Sequence, residues 1–460
     1  MISDYFNPAD MASFTNEDTA KFFYQMALKY RHQGQLAKAE DFYKKALTIK
    51  ENFPECYNDL ALLYKEKGWF DEAKKCYYKA ITIAPDYSDC MYNLANLHAD
   101  IGEDEMAEKL LKKALSIVPK AIYYNSLGVL YQSQGAFEKA ADCYQKAIKI
   151  KPDYHACLNN LALVKLTLGD YETGLACYEH RSAIVNLQSK NINLPIWQGE
   201  DLNNKRIVVI TEQGCGDNIQ FIRFAKNLKK MGAYVIVHCQ EALATLMQTC
   251  PWVDDVQPTL KGFTEDFYIF SGSLMHRVQI NLKSIPIDVP YLFADKDKTA
   301  SFKQTLFNHQ KLKIGIVTKG SDKHINDGNR SIDLGLFKPI FSMENIQFYC
   351  LNFPSKGKKM DGKLIDVAPY IKDFSDTAAI IENLDLLISV DTAAAHLAGA
   401  MNKPCWLLIP KIADWRWLLE GETSLWYKSL HLFRQQTAKD WTQVIKALSM
   451  SLKEMPKISN

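Results

Sequence analysis

The sequence predicts an α-helical solenoid followed by an α/β region with two parallel sheets, and three observations support this fold class. Glycines recur 34, 34, 33 and 34 residues apart, the spacing of a helical-hairpin repeat, at Gly34, Gly68, Gly102, Gly135 and Gly169. After the polar connector SAIVNLQSKNINLP, short β-branched runs alternate with helical stretches, as in α/β proteins. A second connector, VPYLFADKDKTASFKQTLFNHQK, divides these runs into two groups.

Three domains follow from these breaks in the pattern. We expect an array of about five repeats over residues 18–187, one α/β half over residues 198–300, and a second α/β half over residues 311–460 that closes with an amphipathic helix. The predicted strands are residues 206–211, 234–239, 267–270, 313–318, 347–351, 386–390 and 405–409.

Composition excludes several classes of protein. The 460 residues are 47% hydrophobic and 23% charged, which is ordinary globular usage and excludes a largely disordered chain. Because 55 Lys and Arg nearly balance 53 Asp and Glu, no excess positive charge is present to bind nucleic acid. The 11 cysteines form no CxxC pair and no zinc-site spacing, which indicates a reducing compartment. With no signal peptide and no apolar run of about 20 residues, we expect a cytoplasmic protein without a membrane span.

The clearest repeat unit is PECYNDLALLYKEKGWFDEAKKCYYKAITIAP. Its apolar residues form one helical stripe before Gly68 and another after it, which predicts two helices joined by a turn. The stripes are Tyr57, Leu60, Ala61 and Tyr64, then Ala73, Tyr77 and Ala80. This pattern resembles the tetratricopeptide repeat family between about Phe22 and Pro152. A fifth unit from His155 has Gly174 and Arg181 where alanines are expected, and we interpret it as the terminal cap.

Stacked repeats leave a concave groove lined by the first helix of each unit. Asparagines fall at neighbouring positions of four first helices, at Asn58, Asn93, Asn125 and Asn160. An asparagine side chain both donates and accepts hydrogen bonds, so these residues are candidates to hold the main chain of a bound protein or peptide. The alternative is that asparagine is merely tolerated on a solvated helix face.

Ligands of α/β sheets bind at the carboxyl ends of strands, where helix N-termini offer free N–H groups. At the first such junction, TEQGCGDNIQFIRFAKNL, Gln213, Gly214 and Gly216 form a turn or acceptor site and Asp217 begins a helix. A dinucleotide fingerprint is incomplete here, because Ile219 stands where the third glycine belongs. Asp217 is a helix cap or a catalytic base, and the two roles are compatible.

At the second junction, LLISVDTAAAHLAGA, Asp391 and Thr392 end a strand and small residues open a helix. Small side chains such as Ala393 let a diphosphate approach the first N–H groups of the helix, so we expect a phosphate site. His396 is a donor to the ligand or a packing residue. The alternative for the whole junction is capping and close helix–sheet packing.

A third polar cluster, TKGSDKHINDGNRSI, follows another strand and contains Lys319, Lys323, His324 and Arg330. Cations at a strand end that faces a phosphate site favour donor binding, whereas a solvated loop is the alternative. The D-x-D sequence at residues 295–297 lies in the connector between the halves. We interpret it as solvated linker, so no metal site is expected.

Several ordered segments together resemble the glycosyltransferase-like domain of bacterial tetratricopeptide-repeat proteins related to the ADP-heptose:lipopolysaccharide heptosyltransferases. They are WQG, EQGCGDNIQF, DGNRSI, SVDTAAAHLAGAMNKPCWLL and ADWRWLL, between about Pro195 and Leu448. The resemblance implies a GT-B fold, in which two Rossmann-like halves face each other across a cleft. It places the acceptor toward the first half and the nucleotide sugar toward the second. The layout is also similar to that of the protein O-GlcNAc transferases.

The resemblance implies roles for single residues. Gly216-Asp217 matches the family's Gly-Asp, whose carboxylate is the proposed general base. Asp391-Thr392 with His396 matches its donor-binding Asp-Thr-Gly-x-x-His, with Ala393 in place of the glycine. Residues 322–324, Asp-Lys-His, resemble a segment whose lysine, here Lys323, contacts the donor phosphate, and Thr318 lies at the matching strand end.

We therefore expect an inverting, metal-independent glycosyltransferase that uses a nucleotide-sugar donor and a protein or glycan acceptor recruited by the repeats, without a further cofactor. A base takes the proton of the acceptor hydroxyl, while cations and a helix N-terminus hold the leaving diphosphate. The alternative is a non-catalytic repeat scaffold with a degenerate nucleotide- or sugar-binding module, which the short α/β region and the alanine at position 393 favour.

Overall fold

The computed structural model describes residues 15–181, 192–258, 264–321, 326–352 and 364–455. It divides into two compact units, Met1–Cys157 and Leu158–Asn460. Among the described residues, no helix has the length and apolar character needed to cross a membrane.

The first unit is a series of helical hairpins, in which α1 pairs with α2, α3 with α4, α5 with α6, and α7 with α8. Gly68 has a φ of 75° at the turn between α3 and α4, a conformation that favours glycine. The alanines predicted at the helix crossings are fully buried, as at Ala73 and Ala107. The helices are α1 Asn16–His32, α2 Leu36–Ile49, α3 Pro54–Glu66, α4 Phe70–Ile83, α5 Ser88–Asp100, α6 Asp104–Ile117, α7 Ala121–Ser133 and α8 Phe137–Ile150.

The fifth hairpin is formed by α9, His155–Thr167, and α10, Tyr171–Tyr178. We expected it to cap the array, but its residues from Leu158 onward belong to the second unit. Tyr171 and Leu175 of α10 lie in the hydrophobic core that the α/β strands also supply. The physical reason is that α10 packs on a helix of the α/β region, α14 Leu274–Arg277.

The second unit contains two sheets whose strands are all parallel. The four-stranded sheet has the order β3-β2-β1-β4 and the six-stranded sheet the order β10-β9-β8-β5-β6-β7. The first consists of β1 Arg206–Ile210, β2 Tyr234–His238, β3 Asp255–Gln257 and β4 Phe267–Phe270. The second consists of β5 Leu312–Val317, β6 Ile346–Cys350, β7 Leu364–Asp366, β8 Leu386–Val390, β9 Cys405–Ile409 and β10 Leu430–Arg434.

Helices lie between many of these strands, because parallel pairing needs crossover connections, and one further helix follows the last strand. They are α11 Cys215–Phe221, α12 Ala225–Lys230, α13 Glu241–Met247, α14, α15 Lys296–Thr305, α16 Asp327–Arg330, α17 Lys338–Phe341, α18 Phe374–Glu382, α19 Ala393–Ala400 and α20 Thr442–Glu454. The connector expected to be solvated linker contains α15. Asp295 is its N-cap and accepts a hydrogen bond from the Lys298 N–H at 2.8 Å, so the first carboxylate of the D-x-D sequence caps a helix.

The six-stranded sheet reverses its strand order between β8 and β5. The connections that follow these two strands therefore leave the sheet in opposite directions, and the carboxyl ends of such strands are the usual ligand position in open parallel sheets. Val317 pairs with Ser389 across the two strands, so Thr318 and Asp391 lie at this edge.

Candidate functional site

Asp217 lies in the first turn of α11 and has a partner for each carboxylate oxygen. Its Oδ2 accepts a hydrogen bond from the Gly214 N–H at 2.9 Å, so the predicted helix-capping geometry is present. Its Oδ1 accepts a hydrogen bond from Nη2 of Arg416. Asp217 thus joins the first α/β half to the second.

Arg416 lies in the ADWRWLL segment, but its role was not predicted. Its Nη1 donates to Asp414 Oδ1 at 2.9 Å and its Nε donates to Gln220 Oε1. Burial lowers the pKa of Arg416, but the charges of Asp414 and Asp217 outweigh this effect and raise it. The guanidinium therefore stays charged and holds residues from both halves.

Close helix packing, as well as the turn, favours glycine at position 216. A Cβ atom at this position would lie 2.9 Å from His396 Cδ2 and 3.3 Å from the Cα of Ala393. Helices α11 and α19 therefore approach each other at their first turns, where the main chain of Ala393 lies against Gly216. The two predicted junctions are brought together by direct packing.

Asp391 follows β8 and is the carboxylate with the most unusual protonation behaviour in the site. Its Oδ2 accepts a hydrogen bond from Trp417 Nε1 at 2.9 Å, and its Oδ1 lies 3.7 Å from His396 Nε2. Burial, helped by the negative charge of Asp414, raises the pKa of Asp391 to about 6. A carboxyl group that titrates near neutrality can exchange protons at physiological pH.

His396 is buried between aromatic rings. Its Nδ1 lies 3.1 Å from the hydroxyl oxygen of Tyr427, and its ring stacks on Trp417 with centroids 5.4 Å apart. Burial and the charges of Arg416 and other arginines lower the pKa of His396 well below its ordinary value. The ring is neutral at pH 7, so it contributes a hydrogen bond and packing rather than a positive charge. Trp415 and Trp417 are both buried, and Trp417 is the one that contacts the site.

The third cluster reaches the same edge through Arg330. Its Nη1 donates to the main-chain oxygen of Asp391 at 2.9 Å, and its Nε donates to Asp327 Oδ1 at 3.2 Å. A Cβ atom on Gly320 would overlap Arg330 Nη2, so this glycine makes room for the guanidinium. Residues 322–325, which include Lys323 and His324, lie outside the described residues.

Thr318 and Thr392, which we also predicted to bind the nucleotide-sugar donor, are held by neighbouring side chains at this edge. Thr318 is buried, its N–H donates to Asn352 Oδ1 at 2.8 Å, and its hydroxyl accepts from Asn352 Nδ2 at 2.9 Å. Thr392 is the N-cap residue of α19, and its hydroxyl lies 3.0 Å from that of Ser389. The structure therefore brings Thr318, Arg330, Asp391, Thr392, Ala393 and His396 to one edge of the second unit.

Gln213 has a φ of 61° and is the residue before Gly214. Its side chain is bound by the hydroxyl of Tyr178, at 3.0 Å from Oε1 and 2.8 Å from Nε2. The neighbouring Glu212 is buried and forms an ion pair with Arg181. Neither contact was predicted, because Tyr178 and Arg181 belong to the fifth helical hairpin.

The predicted asparagines contact other side chains of the first helices. Asn93 Nδ2 donates to Asn58 Oδ1 at 2.9 Å, and Asn58 Nδ2 donates to Asp59 Oδ1 at 3.1 Å. Asn125 lies on α7 and Asn160 on α9. The asparagines of neighbouring repeats thus form at least one link between α3 and α5, which is compatible with both a stabilising role and a binding role.

A cavity of about 500 Å³ lies between α6, α7 and α8 of the first unit. Leu115, Leu127 and Cys143 contribute apolar walls, and Lys112, Lys139 and Lys146 contribute charged side chains. Within the described residues, no group of three histidine, cysteine or carboxylate side chains is arranged to hold a metal ion.

Comparison with known families identifies the first unit. Models of the tetratricopeptide repeat match residues 20–53, 54–87, 88–118 and 121–154. The N-terminal part of the chain therefore consists of tetratricopeptide repeats, as predicted, and a role in protein interaction follows from these repeats. No glycosyltransferase or heptosyltransferase resemblance is shown by these matches.

Two relatives extend the comparison. Protein FlbA of Caulobacter vibrioides is 21% identical over 405 residues, and the match covers 73% of this chain and 67% of that protein. The repeat unit supplies only 157 of the 460 residues, so the match continues into the α/β region. An uncharacterized protein of Methanocaldococcus jannaschii, MJ0572, is 39% identical over 59 residues, which are 13% of this chain and 69% of that one.

Several solved structures are similar to part of the chain. MamA from Desulfovibrio magneticus RS-1 is 18% identical and matches 39% of this chain and all of its own, with a TM-score of 0.34. TTC0263, a thermophilic TPR protein from Thermus thermophilus, is 20% identical and matches 37% of this chain and 96% of its own, with a TM-score of 0.32. YrrB, described as a TPR protein with an unusual peptide-binding site, is 18% identical. It matches 37% of this chain and 87% of its own, with a TM-score of 0.30.

Proposed function

We propose that this tetratricopeptide-repeat protein transfers a sugar from a nucleotide-sugar donor to a protein or glycan acceptor that the repeats recruit. One observation carries the proposal. The segments after β5 and β8 meet where the strand order reverses, and Arg330 donates a hydrogen bond to the main-chain oxygen of Asp391 there at 2.9 Å. This is the position at which open parallel sheets bind nucleotides.

The donor side of the proposal rests on charge and helix geometry. The N-terminus of α19 provides unpaired N–H groups and a partial positive charge for a diphosphate. Arg330 supplies a full positive charge beside it. The carboxyl group of Asp391 repels phosphate when ionised, so we assign it to a sugar or ribose hydroxyl. The sheet orders, which place β1 and β5 between neighbours on both sides, support two Rossmann-like halves in a GT-B arrangement.

The acceptor side of the proposal concerns Asp217. A general base must come within hydrogen-bond reach of the acceptor hydroxyl. Each oxygen of Asp217 accepts one hydrogen bond, from Gly214 and from Arg416, and a carboxylate oxygen can accept a second one, so the acceptor hydroxyl can bind while both partners stay in place. Arg416 is then the partner that would stabilise negative charge beside the reacting atoms.

A second candidate is a non-catalytic scaffold, and a specific observation favours it. Helices α11 and α19 are in van der Waals contact at Gly216 and Ala393, where a GT-B enzyme would keep a cleft. In this case the α/β unit serves to hold a partner or a small ligand, and the repeats carry the biological role.

Calorimetry of the full chain with ADP-, GDP-, UDP- and TDP-sugars, with and without a divalent metal, separates the two candidates. The transferase predicts that one donor binds and is slowly hydrolysed. Asp391→Asn should weaken that binding at least about tenfold, because a lost charged hydrogen bond has this magnitude. Asp385→Asn is the matched control, since Asp385 precedes the same strand at its opposite end and accepts from the Lys313 N–H. Failure of every donor to bind would favour the scaffold.

A further inference from the structure

The fifth helical hairpin contacts two of the four residues that lead from β1 into α11, Glu212 and Gln213. Arg181, three residues after α10, is 2% exposed. Its Nε donates to Glu212 Oε1 at 3.0 Å and its Nη2 donates to Ser273 Oγ at 2.9 Å. The Gly272 N–H donates to the same Glu212 oxygen at 3.2 Å. Glu212 is thereby fixed by the hairpin on one side and by the end of β4 on the other.

Tyr178, the last residue of α10, fixes the next residue along. Its hydroxyl bonds the side chain of Gln213, whose φ of 61° is unfavourable for a residue with a side chain. Such a conformation persists when the surroundings hold it in place. Burial first, and then the negative charge of Asp217, raises the pKa of Tyr178 to about 12. The hydroxyl is therefore protonated and lies within the electrostatic reach of Asp217.

The same helix also contacts the segment that carries Arg416. The ring of Tyr171 meets the ring of Trp415 edge-on, with centroids 6.0 Å apart. Trp415 directly precedes Arg416, the partner of Asp217. Helix α10 thus contacts the neighbours of both members of the ion pair that joins the two α/β halves.

Repeat register shows that these contacts are specific to the fifth unit. Tyr77 and Tyr178 occupy the same repeat position, nine residues after Gly68 and Gly169. The Tyr77 hydroxyl has no hydrogen-bond partner among the described residues, whereas that of Tyr178 bonds Gln213. Arg181 occupies the position that is alanine in the other repeats, for example Ala80. Two packing positions of the repeat have become polar contacts to the α/β site.

We propose that Tyr178 is a positioning residue: it sets the conformation of the turn at Gln213 and, through it, the direction of the Asp217 carboxylate. Arg181 acts with it by fixing Glu212. The last tetratricopeptide repeat is then a structural part of the α/β site rather than an end cap. The consequence for chemistry rests on the proposed transferase function, but the consequence for turn conformation does not.

Hydrogen exchange of the full chain tests the conformational part. In Tyr178→Phe, the amides of residues 212–221 should exchange at least about fivefold faster, the factor expected for one lost hydrogen bond. Gln213→Ala, a change at an exposed residue, should give the same increase in exchange rate. The double variant Tyr178→Phe with Gln213→Ala should exchange no faster than either single variant. Tyr77→Phe is the matched control, because it removes a hydroxyl without a partner at the same repeat position, and it should leave this segment unchanged. Unaltered exchange of residues 212–221 in both Tyr178→Phe and Gln213→Ala would overturn the proposal.

Turnover tests the chemical part wherever a donor is hydrolysed. Tyr178→Phe should lower kcat about tenfold and leave KM for the donor unchanged, because the donor residues lie on the other half. A tenfold loss of kcat/KM that came only from a higher KM would contradict a positioning role toward Asp217. If the wild-type chain hydrolyses no donor, the transferase proposal fails by itself, and the exchange experiment still decides the role of Tyr178.

Discussion

Arg181 occupies the repeat position that is alanine in the other four units, and its contacts differ from those of the alanines. Ala46, Ala80, Ala114 and Ala147 are fully buried where helices cross, while Arg181 is 2% exposed and paired with Glu212. The second helix of the fifth unit ends at Tyr178, so Arg181 lies beyond it and contacts the α/β region, whereas the alanines lie within helices. The difference teaches that the chemistry of a repeat position depends on the partner it faces.

The comparison extends to how each unit holds its parts together. The first unit is packed through alanine and aromatic side chains. The second unit joins its segments through Arg181, Arg223 and Arg416, which are 2%, 1% and 6% exposed. Arg223, for example, donates to the main-chain oxygen of Trp426 at 2.9 Å and to the Tyr291 hydroxyl at 3.0 Å. Buried charges add little net stability but penalise any arrangement that separates them from their partners.

Removing the charge of Arg181 should cause the largest loss of stability among the changes that compare the two units. Arg181→Ala leaves Glu212 buried without its counter-charge and should destabilise the second unit by about 3–5 kcal/mol. Urea unfolding of the full chain measures the loss. The double variant Arg181→Met with Glu212→Gln removes both charges and should recover part of the stability. A loss below about 1 kcal/mol in the single variant would show that Glu212 does not depend on Arg181.

Protonation of Asp391 should give the next largest effect. Its pKa is raised to about 6 in the folded state, so the folded chain binds this proton more tightly than the unfolded chain. The stabilisation is complete below the unfolded pKa of about 4 and is lost as pH rises through 6, and its full size is about 3 kcal/mol. We expect Asp391→Asn to flatten the decline in stability between pH 4 and 6, measured by urea unfolding. An unchanged slope in Asp391→Asn would contradict the assignment of the raised pKa to Asp391.

Two glycine substitutions compare the units directly. Gly216→Ala places a Cβ 2.9 Å from His396 and 3.3 Å from Ala393, and such overpacking should cost about 1–3 kcal/mol. Gly68→Ala meets no atom within 4 Å but has a φ of 75°, so only backbone strain of about 1 kcal/mol is expected. Thermal unfolding of both variants measures the two losses of stability, and a larger loss for Gly68→Ala than for Gly216→Ala would contradict the prediction.

The sequence predicted the helical hairpins of the repeats and placed seven strands within about one residue, because periodic apolar stripes and short β-branched runs both carry a strong local signal. The strands it missed, β3, β7 and β10, are all at sheet edges. The segments of β3 and β7, DVQ and LID, have three residues each and are partly exposed, so neither length nor burial distinguishes them from loops.

The site was predicted less completely for a different reason. Asp217 and Asp391 stand next to recognisable strand ends, and the structure brings both junctions together. Arg416 and Tyr178 lie 199 and 39 residues from Asp217 along the chain, and their contacts depend on how the segments pack. Only the departure from the repeat at Arg181 gave a sequence signal, and its meaning needed the position of Glu212.

The smallest effect should come from the polar link between the first helices. Asn93→Ala removes the donor to Asn58 Oδ1 at 2.9 Å and should cost about 0.5–1.5 kcal/mol, the net value of one neutral hydrogen bond. Asn96→Ala, on the same helix and without a hydrogen bond among the described residues, is the matched control for helix propensity. Thermal unfolding of both variants measures the difference. If Asn93→Ala were as damaging as Arg181→Ala, the first unit would also depend strongly on polar links, because the loss would exceed what one neutral hydrogen bond supplies.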